Sequence, residues 1–145
     1  MHPVGKSLLL IDMDNDGDKD FLGGHEQCDE LYYLENKGTA AEARMNEFSE
    51  DFPNPENPAN FPVFPAAFFD DFDNDGKYDL MVSPNTEYNP DKTINYGRSS
   101  WFYKNTGTNE LPQFDFITST FLQSEMIDMG ENSIPVLVDQ DGDGD

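Results

Sequence analysis

The chain has 145 residues, enough for one ordinary domain, and its 36% hydrophobic and 13% aromatic content excludes a disordered tail. Asp and Glu number 30 against 8 Lys and Arg, a formal charge of -22. So acidic a surface cannot neutralise phosphates, which argues against nucleic acid and anionic membranes as partners and in favour of cations.

In chain order, the segments read as short strands. Leu8-Leu9-Leu10-Ile11 is an apolar β-forming run, and it leads into Asp12-Met13-Asp14-Asn15-Asp16-Gly17-Asp18-Lys19-Asp20. Phe21-Leu22 follows, then the aromatic run Leu31 to Glu35, which ends in Asn36-Lys37-Gly38-Thr39. Thr39 to Glu47, with Ala40, Ala41, Ala43 and Met45, is the one stretch with helical composition, and it is short enough to be a loop turn instead. Another short run surrounds Phe48. Pro53, Pro55, Pro58, Pro62 and Pro65 then rule out a helix over 53–65. Phe64 to Phe69 approaches a second acidic stretch, Asp71-Phe72-Asp73-Asn74-Asp75-Gly76-Lys77-Tyr78-Asp79, followed by Leu80-Met81-Val82. A polar insertion covers 85–98. Beyond it, Ser100 to Thr108 repeats the aromatic run and its Asn-x-Gly-Thr ending, and a further run spans Phe114 to Phe121. Ile134 to Val138 leads to a third acidic stretch, Asp139-Gln140-Asp141-Gly142-Asp143-Gly144-Asp145.

The first two acidic stretches fit D-x-D-x-D-G-x-x-D in full, the third fits as far as it runs, and their starts lie 59 and 68 residues apart. Self-similarity at that period marks a repeat architecture. A unit of about 60 residues holding about four strands suits an all-β fold of β-propeller blades. The expected blades are about 1–58 and about 59–126, with the start of a third at about 127–145. Since propellers close with about four to eight blades, the chain is expected to be part of a larger propeller.

The spacing of the acids points to a metal. Calcium takes six to eight oxygen ligands at about 2.3–2.6 Å, and alternate residues of a tight loop can aim carboxylates at one centre. Asp12, Asp14 and Asp16 have that spacing, as do Asp71, Asp73 and Asp75. Glycine at position six, Gly17 or Gly76, allows the bend. Position seven would offer its carbonyl, from Asp18 or Lys77, and position nine a further carboxylate, Asp20 or Asp79. Asp139, Asp141, Asp143 and Asp145 are the candidates in the third loop. Without a cation, each pair of neighbouring carboxylates costs about 1 to 4 kcal/mol. An all-oxygen set favours calcium over zinc, and magnesium demands a stricter octahedron. An EF-hand is excluded, because its Glu at position twelve is here Gly23 or Val82 and the flanks read as strands.

The three loops, set in β units with Asn36 to Thr39 and Asn105 to Thr108 at strand ends, resemble the FG-GAP/VCBS repeats of integrin-α-like β-propellers. The resemblance covers the chain apart from 53–62 and 85–98, and lacks the literal Phe-Gly…Gly-Ala-Pro signature. It implies a calcium-binding propeller of a secreted or cell-surface protein, binding an extracellular protein or glycan, often in adhesion. An accessory part of a secreted polysaccharide-degrading enzyme is the alternative.

No catalytic set emerges. Glu26, Glu30, Glu87 and Glu131 have no organising pattern, and His2 and His25 have no Ser or Cys partner pattern. Gly5-Lys6-Ser7 lacks the rest of a phosphate loop. A non-enzymatic role is therefore expected. Cys28 is the one cysteine, so no intrachain disulfide can form. No apolar run reaches the ~18 residues of a membrane span, and Leu8 to Ile11 is too short for a signal peptide core. Trp101 and Tyr103 share a strand face and are expected in the core; Tyr88, Tyr96 and Trp101 are the candidates for ligand contact.

Overall fold

A computed structural model describes residues 6–45, 48–61, 63–86, 89, 92–126 and 142. Among these, the chain is all-β, arranged as two antiparallel four-stranded sheets. The N-terminal sheet runs β1 (Lys6–Ile11), β2 (Asp20–His25), β3 (Tyr32–Leu34) and β4 (Phe48–Ser49). The C-terminal sheet runs β5 (Pro65–Asp70), β6 (Asp79–Pro84), β7 (Trp101–Asn105) and β8 (Phe114–Thr118). In both, strand order follows chain order, so each sheet is a meander of hairpins. A single turn of 3-10 helix, Tyr96–Arg98, lies in the polar insertion. No helix among the described residues is long and apolar enough to cross a membrane.

Each acidic loop joins the first two strands of its sheet. Ile11 pairs with Asp20 below the first loop, and Asp70 with Asp79 below the second. Of the two readings of Thr39 to Glu47, the described part, residues 39–45, takes the turn: Thr39 and Glu42 pair as a bridge and no helix forms there. Side chains there outcompete the helical bonds. The Asn36 Oδ1 accepts from the N–H groups of Gly38 and Arg44, and the Thr39 Oγ1 accepts from the N–H of Glu42.

The core lies between the sheets. Ile11 and Leu22 come from one sheet and Leu80, Val82, Tyr103 and Phe114 from the other. Leu31 and the Pro-rich connection add Phe52, Ala59 and Phe61, so residues outside the repeat pattern complete the core. Phe61 packs on Trp101 with ring centres 4.6 Å apart, and Phe52 stacks on Tyr33 at 5.3 Å. Polar ties add to the apolar contact. The Ser7 hydroxyl donates to the Pro65 carbonyl at 2.6 Å and accepts from the Gly24 N–H at 2.8 Å. A side chain on Gly24 would collide with that same carbonyl, so the approach of β2 to β5 requires glycine.

The two sheets meet through non-equivalent faces. Counted from the loops, Leu8 and Leu10 correspond to Ala67 and Phe69, and Phe21 and Gly23 to Leu80 and Val82. Ala67, Phe69, Leu80 and Val82 pack against the N-terminal sheet. Their counterparts Leu8 and Leu10 stay 63% and 51% exposed, while Leu9 and Ile11 on the opposite face enter the core. The contact is therefore head-to-tail, and on the N-terminal sheet Leu8 and Leu10 of the corresponding face stay exposed while Phe21 is half-buried and Gly23 buried.

Candidate metal site

Loop 1 (residues 12–20) and loop 2 (residues 71–79) share one backbone. Position six is left-handed in both, with φ 94 at Gly17 and 88 at Gly76. A Cβ on either glycine would meet nothing within 4 Å, so conformation rather than space demands glycine. Position four is also left-handed, at φ 60 for both Asn15 and Asn74, and asparagine tolerates that region better than most side chains. Gly142, position four of the third loop, has φ 78. The remainder of that loop, with Asp139, Asp141, Asp143 and Asp145, lies outside the described residues.

The carboxylates organise this backbone. At position one, the Asp12 Oδ2 accepts from the Gly17 N–H at 3.1 Å, and the Asp71 Oδ2 from Gly76 at 3.0 Å. At position three, Asp14 accepts from Asp16, and Asp73 from Asp75, both at 3.2 Å. At position five, Asp16 accepts from the N–H of Asp18, and Asp75 from that of Lys77, both at 3.0 Å. Position nine is the anchor. The Asp20 carboxylate accepts from Met13 and Asn36, at 2.9 and 2.8 Å. Asp79 accepts from Phe72 and Asn105, at 3.3 and 2.8 Å. Each anchor thus ties its loop to the third strand of the sheet.

Asn36 and Asn105, both buried, extend that tie. Their side-chain oxygens accept from Gly38 and Arg44 in one repeat and from Gly107 and Gln113 in the other. The Asn-x-Gly-Thr segments are visible in the sequence as strand ends. Their recurrence after each loop, 16 residues past position nine in one repeat and 26 in the other, is the signal that they serve the loops. Asn109 also went unsuspected: its amide accepts from the Tyr78 N–H at 2.7 Å and donates to the Gly76 carbonyl at 3.0 Å.

Three carboxylate oxygens, one each from Asp12, Asp14 and Asp16, lie within 4.8 Å of one another, and so do three from Asp71, Asp73 and Asp79. Oxygens bound to one calcium are separated by no more than about twice its 2.3–2.6 Å bond length, so either trio fits one ion. In loop 1 the Asp12 Oδ1 and the Asp18 Oδ1 are buried without a hydrogen-bond partner, and Asp18 is only 5% exposed. An unpartnered buried carboxylate oxygen is costly, and a cation would supply the missing partner. Burial, and then the charges of Asp16, Asp20, Asp14 and Asp12, hold the Asp18 carboxyl above the usual carboxylate range. Burial likewise raises Asp79, against the opposing bonds from Asn105 and Phe72.

Loop 2 differs in one contact. The Lys104 ammonium on β7 bonds Asp73 and, at 2.7 Å, Asp75. That bond, with the Lys77 N–H, holds Asp75 below the usual carboxylate range, and the two aspartates raise Lys104 above the usual lysine value. Among the described residues, no lysine or arginine pairs with the aspartates of loop 1.

The aromatic candidates separate. Trp101 packs between Phe61 and Phe116, and its indole N–H donates to the Arg98 carbonyl. Tyr96 is exposed and its hydroxyl donates to the Thr86 carbonyl. Tyr88 and Glu87 lie outside the described residues. Comparison with family models, curated proteins and solved structures finds no match to this chain.

Proposed function

We propose that this chain is a calcium-binding repeat module of a β-propeller, in which the ion braces the first hairpin of each blade. The observation that carries the reading is the buried, orphaned Asp12 oxygen, on one of three clustered carboxylates in an all-oxygen loop whose backbone recurs in both sheets. Asp12, Asp14 and Asp16 hold the ion in loop 1, and Asp71, Asp73 and Asp79 in loop 2. The head-to-tail contact of the sheets supports the propeller arrangement, because it leaves on the N-terminal sheet a face shaped for another sheet of the same kind. On this reading the repeat spacing sets blades at about 1–58 and about 59–126, with a third opening at about 127–145. A module that needs calcium suits the millimolar calcium outside cells, where weak sites with Kd of about 0.1–1 mM suffice. There it would present its surface to a protein or glycan partner and carry out no catalysis itself.

Melting curves in calcium, magnesium and chelator test the reading. Calcium at ten times its dissociation constant should add about 1.4 kcal/mol per occupied site, and magnesium less. A melting temperature that calcium leaves unmoved overturns it.

A further inference from the structure

Loop 2 already holds a cation. The Lys104 ammonium reaches two of its carboxylates at once, Asp73 and Asp75, with all three side chains about two-thirds or more shielded from solvent. The residue is placed by the repeat itself. Asn36 and Asn105 occupy the same position, since each donates its N–H to the position-nine carboxylate at 2.8 Å. The preceding residue is Lys104 in the second repeat and Glu35 in the first. At position seven the contrast recurs, with Lys77 in loop 2 and Asp18 in loop 1. Glu35 itself pairs with Lys37 at 4.0 Å rather than with an aspartate of loop 1. The two loops therefore share a scaffold, and the position that sets a lysine on loop 2 holds an acid in the first repeat.

We infer that Lys104 is a tethered counter-ion that a divalent ion must displace from loop 2, so that the two loops bind the same ion unequally and loop 1 fills first. The inference rests on the calcium reading. Asp73 belongs both to the ammonium's pair and to the trio that would hold the metal, so an ammonium seated there competes with a metal for it. Apparent affinity falls by the fraction of time the loop is free of lysine. Lysine suits this role because its charge rides on a flexible four-carbon stem that can swing into solvent. Loop 1 carries no such competitor, and its orphaned oxygens leave it dependent on the metal.

Calorimetric calcium titration of the full chain tests this, with loop 1 disabled by Asp12→Asn and Asp14→Asn so that loop 2 is read alone. Lys104→Met keeps the stem, removes the charge, and should tighten loop 2 about fivefold, the scale of a partly shielded ion pair. The reciprocal variant is Glu35→Lys in the otherwise unaltered chain. It lies outside the core and should weaken loop 1 by a similar factor. Unchanged or weakened binding to loop 2 in Lys104→Met, in a variant whose near-ultraviolet circular dichroism matches the parent, overturns the inference while leaving the calcium reading intact. Should Lys104→Met misfold, unaltered loop 1 affinity in Glu35→Lys overturns it instead. Absence of calcium binding at either loop of the unaltered chain overturns the calcium reading itself.

Discussion

Loop 1 and loop 2 are built on the same hydrogen bonds and solve the same electrostatic problem differently. In both, aspartates at positions one, three, five and nine fold inward onto backbone N–H groups. Loop 1 leaves two buried oxygens without a partner, whereas loop 2 closes on Lys104. Geometry is thus a property of the repeat, and the demand for an external cation is a property of each copy.

The largest expected effects fall on what the loops share. Asp20→Ala and Asp79→Ala each strand two backbone N–H groups that a buried carboxylate now accepts. Each should cost about 3 kcal/mol in chelator, measured by urea denaturation, and the two costs should agree. A large cost at one anchor and none at the other would break the equivalence of the repeats. Next in size, Gly17→Ala and Gly76→Ala force a side chain into the left-handed region. Each should lose about 1–2 kcal/mol.

Smaller effects should divide the loops. Asp18 sits above the ordinary carboxylate value through burial and its acidic neighbours. A raised folded pKa means a contribution fully present below the unfolded value and lost as pH rises through the folded one. Asp18→Asn should therefore raise the melting temperature of the chelated protein at neutral pH and leave it unchanged below the carboxylate range. Asp75 has the opposite sign, because the Lys104 bond holds it low. Its contribution is present above the unfolded value and lost as pH falls through the folded one. Lys104→Met in chelator should then lower the melting temperature by less than either glycine change, and acidification should erase the difference from the unaltered chain. Equal responses of the two loops to these changes would remove the contrast.

Much of the β architecture was legible along the chain. Apolar runs flanking Asp-Gly loops place β1, β2, β5 and β6 within a few residues, because strand and turn chemistry are local. Composition left Thr39 to Glu47 open between helix and turn, and the turn wins in residues 39–45 because Asn36 and Thr39 offer side-chain acceptors that composition alone does not weigh. The Pro-rich segment reads only as non-helical, and nothing in it foretells that Phe52, Ala59 and Phe61 sit in the core. Their burial depends on which sheet passes beneath them.

The sequence by itself determined where the acidic loops stand, why glycine occupies position six, and that the units around them are strands, since turn conformation and carboxylate spacing act within a few residues. Tertiary structure alone decided which oxygens are left without a partner and which face of each sheet is covered. It also brought Lys104 on β7 over a loop 31 residues away in the chain. Burial and long-range charge depend on what folding brings together, and that distance is not written in the local pattern.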